Sequence, residues 1–149
     1  MRFLNFFKCR PWTAVDVILY KKQKHGIKFL VVRRKYEPYK HYYVFPGGFV
    51  ECGETAEQAA SRELEEETGI SLSFEKQDQF RVYSHPKRDP RHHVISIVFA
   101  KEVKNLENLN FKESKETFDI AVLSLKNKKE VLGFDHEFIL RDFYSSLMA

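Results

Sequence analysis

Apolar residues along this chain gather in short runs separated by polar, proline-marked and glycine-marked turns. Trp12–Tyr20 is rich in β-branched residues and reads as a strand. A polar turn holding His25-Gly26 follows, and Lys28–Arg33 is its expected hairpin partner. Lys35–Tyr43 is a polar, aromatic loop around Pro38, and Val44-Phe45 leads into Pro46-Gly47-Gly48. Leu72–Phe74 and Gln79–Tyr83 read as short strands, Val94–Ala100 as a buried central strand, and Phe118–Leu125 as a further one. Between the last two lies a long charged loop, Lys101–Thr117. From Asp135, a candidate N-cap, Phe138, Ile139, Phe143 and Leu147 recur at helical spacing. Strands and two helices in this order predict an α/β fold with a mixed sheet between helices. Without a repeat, low-complexity tract or linker, residues 1–149 are expected to form a single domain.

The other predicted helix is unusual. Thr55 and Gln58 have capping-box spacing, and Gly69 suits a left-handed C-cap. With successive residues about 100° apart, Ala56, Ala59, Ala60 and Leu64 share one arc. Glu63, Glu66 and Glu67 fall in that same arc, while Gln58, Ser61, Arg62 and Glu65 point away. Carboxylates converging on a buried or cleft-facing surface repel one another and resist desolvation. A hard divalent cation such as Mg²⁺ or Mn²⁺ would resolve that conflict, because it prefers oxygen ligands. Upstream, Gly47 and Gly48 permit a sharp turn and close approach of backbone to a ligand.

Gly48, Glu54, Arg62, Glu63, Leu64, Glu66, Glu67, Gly69 and Ile70 also stand at the spacing G-x5-E-x7-R-E-U-x-E-E-x-G-U, where U is aliphatic. The stretch resembles the Nudix box at every prescribed position. The resemblance implies an α/β/α sandwich with a mixed sheet between helices. It further implies metal-dependent hydrolysis of a diphosphate linkage in a nucleoside diphosphate derivative. By the same resemblance Glu63, Glu66, Glu67 and the Gly48 backbone are the metal ligands, and Arg62 orients the glutamates. Glu54 either completes the metal site or pairs with Arg62. The general base is Glu63 or a glutamate of the later loop, Glu113 or Glu116, with Glu116 carried forward as the catalytic candidate.

Composition fits a soluble cytoplasmic protein. Of 149 residues 43% are hydrophobic and 15% aromatic, enough for a sizeable core. The two cysteines, Cys9 and Cys52, suggest neither a zinc site nor a disulfide framework. The apolar stretch after Arg2 is too short for a signal peptide or membrane span, so no membrane partner is expected. Residues 1–11 read as an arm or edge strand available for dimerisation, which leaves a homodimer open. The formal charge of +4 lies largely in turn-like runs, Lys21-Lys22-Gln23-Lys24 and Lys126-Asn127-Lys128-Lys129. Such runs read as solvated loop charges and not as a nucleic-acid stripe.

Substrate anchors are sought outside the box. Arg33 and Arg34, Gly47 and Gly48, and Arg88 and Arg91 are the candidates for the substrate, a small nucleotide. The tyrosines of Tyr36–Tyr43 offer a face for a nucleobase. Pro86 lies 16 residues past Ile70. That spacing, Arg88-Asp89-Pro90-Arg91 with Ser96, and Phe134-Asp135-His136 resemble the ADP-ribose pyrophosphatase group. Cleavage of ADP-ribose to AMP and ribose 5-phosphate is therefore the expected reaction. A dNTP pyrophosphohydrolase and a non-catalytic nucleotide-sensing domain are the alternatives. Against the sensor stand the intact box and the lack of room for an added DNA-binding domain.

Overall fold

A computed structural model describes residues 9–149, so the expected N-terminal arm lies mostly outside the described residues. The elements are β1 (Trp12–Lys22), β2 (Ile27–Arg34), β3 (Tyr43–Val44), β4 (Gly47–Phe49), α1 (Ala56–Thr68), β5 (Gln79–Tyr83), β6 (Val94–Glu102), β7 (Thr117–Ser124) and α2 (His136–Met148). The strands form one mixed sheet in the order β3-β2-β1-β6-β5, with β7 added beside β2 and β4 beside β1. β6 runs parallel to β1, from Trp12 opposite Val94 to Tyr20 opposite Glu102. The other pairings are antiparallel.

Side-chain alternation along β1 explains the two cores. Val15, Val17 and Leu19 join Ala59, Ala60 and Leu64 of α1 under one face of the sheet. Ile18 and Tyr20 join Ile139, Leu140 and Phe143 of α2 under the other. The sheet is thus held between helices, as the pattern predicts. Complete burial of a side chain such as Leu64 or Leu140 stabilises by about 1.5–3 kcal/mol.

One irregularity builds the cleft. β1 pairs with β2 at Tyr20–Lys22, but at Ala14–Asp16 its antiparallel neighbour is β4. The chain therefore brings Gly47–Phe49 across the sheet beside the start of β1. Gly47 has no room for a side chain, since a Cβ there would lie 2.2 Å from the Val15 carbonyl oxygen.

Three local expectations need correction. Leu72–Phe74 is not a strand, and the Phe74 amide donates to the Ser61 hydroxyl of α1. Lys21 and Lys22 finish β1 instead of forming the turn, and Lys21 pairs with Glu107. Asp135 precedes α2 but its carboxylate does not cap it. Among the described residues no helix is long and apolar enough to cross a membrane.

Candidate active site

Helix α1 begins and ends as its sequence dictates. Thr55 and Gln58 exchange both capping-box hydrogen bonds, at 3.1 and 2.8 Å, and Gly69 closes the helix at φ 74°. Between those stops Glu63 and Glu67 are buried, while Glu66 stays exposed. All three line one cavity of about 400 Å³ together with Asp16, Arg34, Gly47, Gly48, Phe49, Arg62, Arg88, Arg91, Glu116 and Phe134.

The carboxylates are electrostatically unsatisfied. Burial pushes the Glu67 carboxyl well above the usual range, with Glu63, Glu116 and Asp16 adding to the shift. Only the Gly47 amide, donating at 3.2 Å, pulls it back. Burial raises Glu63 too, against the pull of Arg62. Gly48 approaches so closely that a Cβ would lie 2.3 Å from a Glu63 carboxylate oxygen. An all-oxygen donor set, crowded and partly desolvated beside bare backbone, suits a divalent cation. Among the described residues no three such groups already stand at ligand spacing around a point. Arg62 holds two of the carboxylates, Glu63 and Glu66.

The helical wheel turns Arg62 away from the glutamate arc, while the family resemblance has it orient the glutamates. Its long side chain instead folds back, with Nη1 donating to Glu63 at 2.9 Å and Glu66 at 3.2 Å. Nε and Nη2 hold Glu54 at 3.0 and 2.6 Å, and Nη2 also reaches the Phe49 carbonyl at 2.9 Å. Glu54 therefore pairs with Arg62 and does not line the cavity. A guanidinium that binds helix, loop and β4 together positions the ligands. Arg62→Ala is expected to lower kcat much more than it changes KM for the nucleotide. Steady-state kinetics at saturating metal checks this, and a large KM rise with unchanged kcat would make Arg62 a substrate ligand instead.

The arginines of β2 divide between faces. Arg34 lines the cavity, its Nε held by the Pro38 carbonyl at 2.7 Å. Arg33 lies outside it, paired with the Tyr43 hydroxyl at 2.9 Å and Asp119 at 3.1 Å. Its place as a phosphate anchor is therefore withdrawn, because adjacent strand residues face opposite ways. Glu116 reaches the cavity; Glu113 does not, and accepts instead from the Asp119 amide.

Arg88 also changes role. It lines the cavity, yet its side chain is only 5% exposed, and its Nε and Nη2 donate to Asp135 at 2.9 and 2.7 Å. Asp16 lies 3.6 Å away. Arg88 is thus part of the wall's internal bracing. Asp16 is buried in turn, accepting from the Ser96 hydroxyl and facing His136 Nε2 at 3.3 Å. His136 Nδ1 accepts from the Phe45 amide at 3.0 Å, which leaves Nε2 to carry the proton toward Asp16. Burial pushes the Asp16 carboxyl up, but His136, Arg88 and Ser96 more than offset it and hold it low.

Arg91 keeps a freer head. Asp89 grips it at 2.7 and 3.0 Å, but the side chain stays 39% exposed. Its guanidinium carbon lies 5.5 Å from the Phe49 ring centre and 5.6 Å from that of Phe134. Phe49 and Phe134 line the cavity, with Phe45 and His136 as its further aromatic residues. The tyrosines expected there pack elsewhere: Tyr39 against Tyr42 and Phe134, and Tyr43 onto Asp119. Asp16 was not sought as a site residue, and Phe134 and His136 entered only through the stretch Phe134-Asp135-His136. Asp16 had left one signal, a lone charge inside an apolar strand.

A family model for the NUDIX domain matches residues 10–142. The chain belongs to the NUDIX family. It is 44% identical over 135 residues to an ADP-ribose pyrophosphatase of Methanocaldococcus jannaschii, covering 89% of this chain and 73% of that protein. It is 27% identical to the ADPR responsive transcriptional repressor NtrR of Acinetobacter baylyi, over 92% of this chain but only 54% of the repressor. A solved bifunctional NMN adenylyltransferase/ADP ribose pyrophosphatase of Francisella tularensis, complexed with AMP and a manganese ion, superposes with a TM-score of 0.80 at 28% identity. That match takes in 97% of this chain and 44% of the larger one. The NUDIX fold of this chain accordingly carries Gly48 of its box on β4 and Arg62, Glu63, Glu66 and Glu67 on α1.

Proposed function

We propose that this NUDIX protein hydrolyses ADP-ribose to AMP and ribose 5-phosphate, with Mg²⁺ as the resident cation and Mn²⁺ able to replace it. The observation that carries the reading is one cavity uniting the glutamates of α1 with Arg34, Arg91 and an aromatic ring. The relationship to the M. jannaschii enzyme supports the same substrate. Glu63, Glu66, Glu67 and the Gly48 carbonyl would hold the cation. When bound, it would offset phosphate charge and make a coordinated water more acidic. Arg34 and Arg91 sit where diphosphate oxygens need cationic donors. Phe134, with Arg34 5.1 Å from its ring centre, offers the adenine a stacking face. Water oxygen adds to one phosphorus, the bridging P–O bond breaks, and the water's proton passes to a carboxylate. Glu116, at the cavity wall beside Glu63 and Glu67, is the residue assigned to take it. Cys9 and Cys52, both exposed and unpaired, support a cytoplasmic setting.

Specificity constants for ADP-ribose and dGTP, measured side by side, test this reading. ADP-ribose is expected to lead by tenfold or more, which is about 1.4 kcal/mol of differential transition-state binding. A tenfold lead for dGTP would move the assignment to triphosphate hydrolysis. Absence of turnover with either, at saturating metal, would favour the sensor alternative to which the likeness to NtrR points.

A further inference from the structure

Glu116 sits on a loop, yet a proton acceptor has to stand at a fixed distance from the carboxylates of α1. Its own carboxylate makes no hydrogen bond or ion pair among the described residues, so the backbone sets its place. That backbone is held by the end of α1. The last carbonyls of a helix lack intrahelical partners and are satisfied from outside. Here the loop before β7 satisfies two of them. The Lys112 amide donates to the Thr68 carbonyl at 2.7 Å, and the Thr117 hydroxyl donates to the Glu67 carbonyl at 3.2 Å. Thr117 is buried, and Glu67 and Glu116 both line the cavity.

A further set of contacts runs from this cap to Glu116 and takes no part in capping. The Ser114 and Thr117 hydroxyls lie 2.9 Å apart. Thr117 has spent its one proton on Glu67, so Ser114 donates to Thr117. The Ser114 oxygen then accepts from the Glu116 amide at 3.2 Å and the Thr117 amide at 3.1 Å, which fills its capacity. The donors thus run in one direction, from Glu116 through Ser114 and Thr117 to Glu67. On the other side stands Lys35, the residue after β2. Its amide donates to the Glu116 carbonyl at 3.2 Å, and its Nζ to the Ser114 carbonyl at 2.7 Å. Glu116 is gripped at both its amide and its carbonyl.

We infer that Ser114, Thr117 and Lys35 are positioning residues that lock Glu116 to the helix carrying the metal donors. The inference rests on the assignment of Glu116 as proton acceptor in the reading above. Ser114 and Lys35 do not line the cavity, so their loss reaches the reaction through the placement of Glu116.

Ser114→Ala is the deciding variant, because it removes the relay and leaves both contacts to the α1 carbonyls in place. With ADP-ribose at saturating metal, Ser114→Ala and Lys35→Met should each lower kcat about tenfold and leave KM within about twofold, since a displaced base costs rate and not binding. Thr117→Val should lose rate likewise, and Thr117→Ser, which keeps the hydroxyl, should recover most of it. Glu116→Gln should lower kcat about a hundredfold, and adding Ser114→Ala to it should cost no more than about twofold further. Amide exchange in the metal-free protein gives a readout that needs no turnover. Ser114→Ala should speed exchange at Glu116 and Thr117 about tenfold while the middle of α1 stays protected. A loop that only caps the helix gives another pattern: Thr117→Val melts earlier, but Ser114→Ala keeps its kcat. That pattern, full additivity of Ser114→Ala with Glu116→Gln, or unchanged exchange would overturn the inference and leave Glu116 as the base. Near wild-type turnover in Glu116→Gln would instead remove the base assignment itself, and the inference with it.

Discussion

Glu66→Gln and Glu67→Gln are each expected to lower kcat by about a hundredfold or more at subsaturating divalent metal. The substitution keeps the size of the side chain and removes the charge that holds a cation against phosphate oxygens. The two positions differ in what the fold will feel. Glu66 is exposed, and among the described residues it pairs with Arg62. Glu67 is buried against Glu63, Glu116 and Asp16, and its carboxyl is raised well above the usual range by that burial. A group whose folded pKa is raised contributes stability at low pH and loses it as pH rises through that value. At neutral pH the ionised Glu67 therefore strains the metal-free protein, and Gln removes the strain. Metal-free Glu67→Gln should melt at or above the wild-type temperature while its turnover collapses. If both variants keep near wild-type turnover, α1 is not the metal site. If Glu67→Gln melts well below wild type, the carboxylate has a structural partner that the geometry does not show.

The parts of this molecule that are legible in the sequence are the ones built from near neighbours. Thr55, Gln58 and Gly69 cap α1 through contacts within a few residues, so spacing alone predicts them. The alternation of β1 likewise announces two buried faces. The helical wheel alone turns Arg62 away from the glutamates because it places Cα atoms, whereas a long guanidinium can return across a turn to its neighbours. The Tyr36–Tyr43 loop was misread for a related reason. Its rings are close to the box in sequence, but β3 turns them toward Asp119 and Phe134. The bracing of Asp16, Ser96, Arg88, Asp135 and His136 joins residues at least 47 positions apart in the sequence. No local pattern encodes such a set, and only the parallel pairing of β1 with β6 and the return of α2 bring it together.

That bracing makes Arg88 the residue whose loss should matter most to stability. Arg88→Ala leaves the buried Asp16 and the half-buried Asp135 carboxylates without their guanidinium. Truncating one partner of a buried ion pair costs about 3–5 kcal/mol, because the remaining charge has lost both water and partner. For a chain of this length that corresponds to a fall in Tm of roughly 10 °C. Arg88→Lys should rescue only in part, since an ammonium cannot reproduce the two parallel bonds to Asp135. Arg91 is the contrast. Its pair with Asp89 is local and its side chain 39% exposed, so solvent screening limits the loss in Arg91→Ala to no more than about 1 kcal/mol. The expected effect at Arg91 falls on kcat/KM for diphosphate substrates instead. The double variant Arg88→Ala/Asp135→Asn should be less unstable than the sum of its parts, because removing the stranded charge cancels most of the penalty. Thermal melts of wild type, the Arg88, Arg91 and Asp135 single variants and the double variant, read beside their kcat/KM for ADP-ribose, separate bracing from binding. Should Arg88→Ala melt like wild type and lose only substrate affinity, Arg88 would return to the cleft as a direct phosphate ligand.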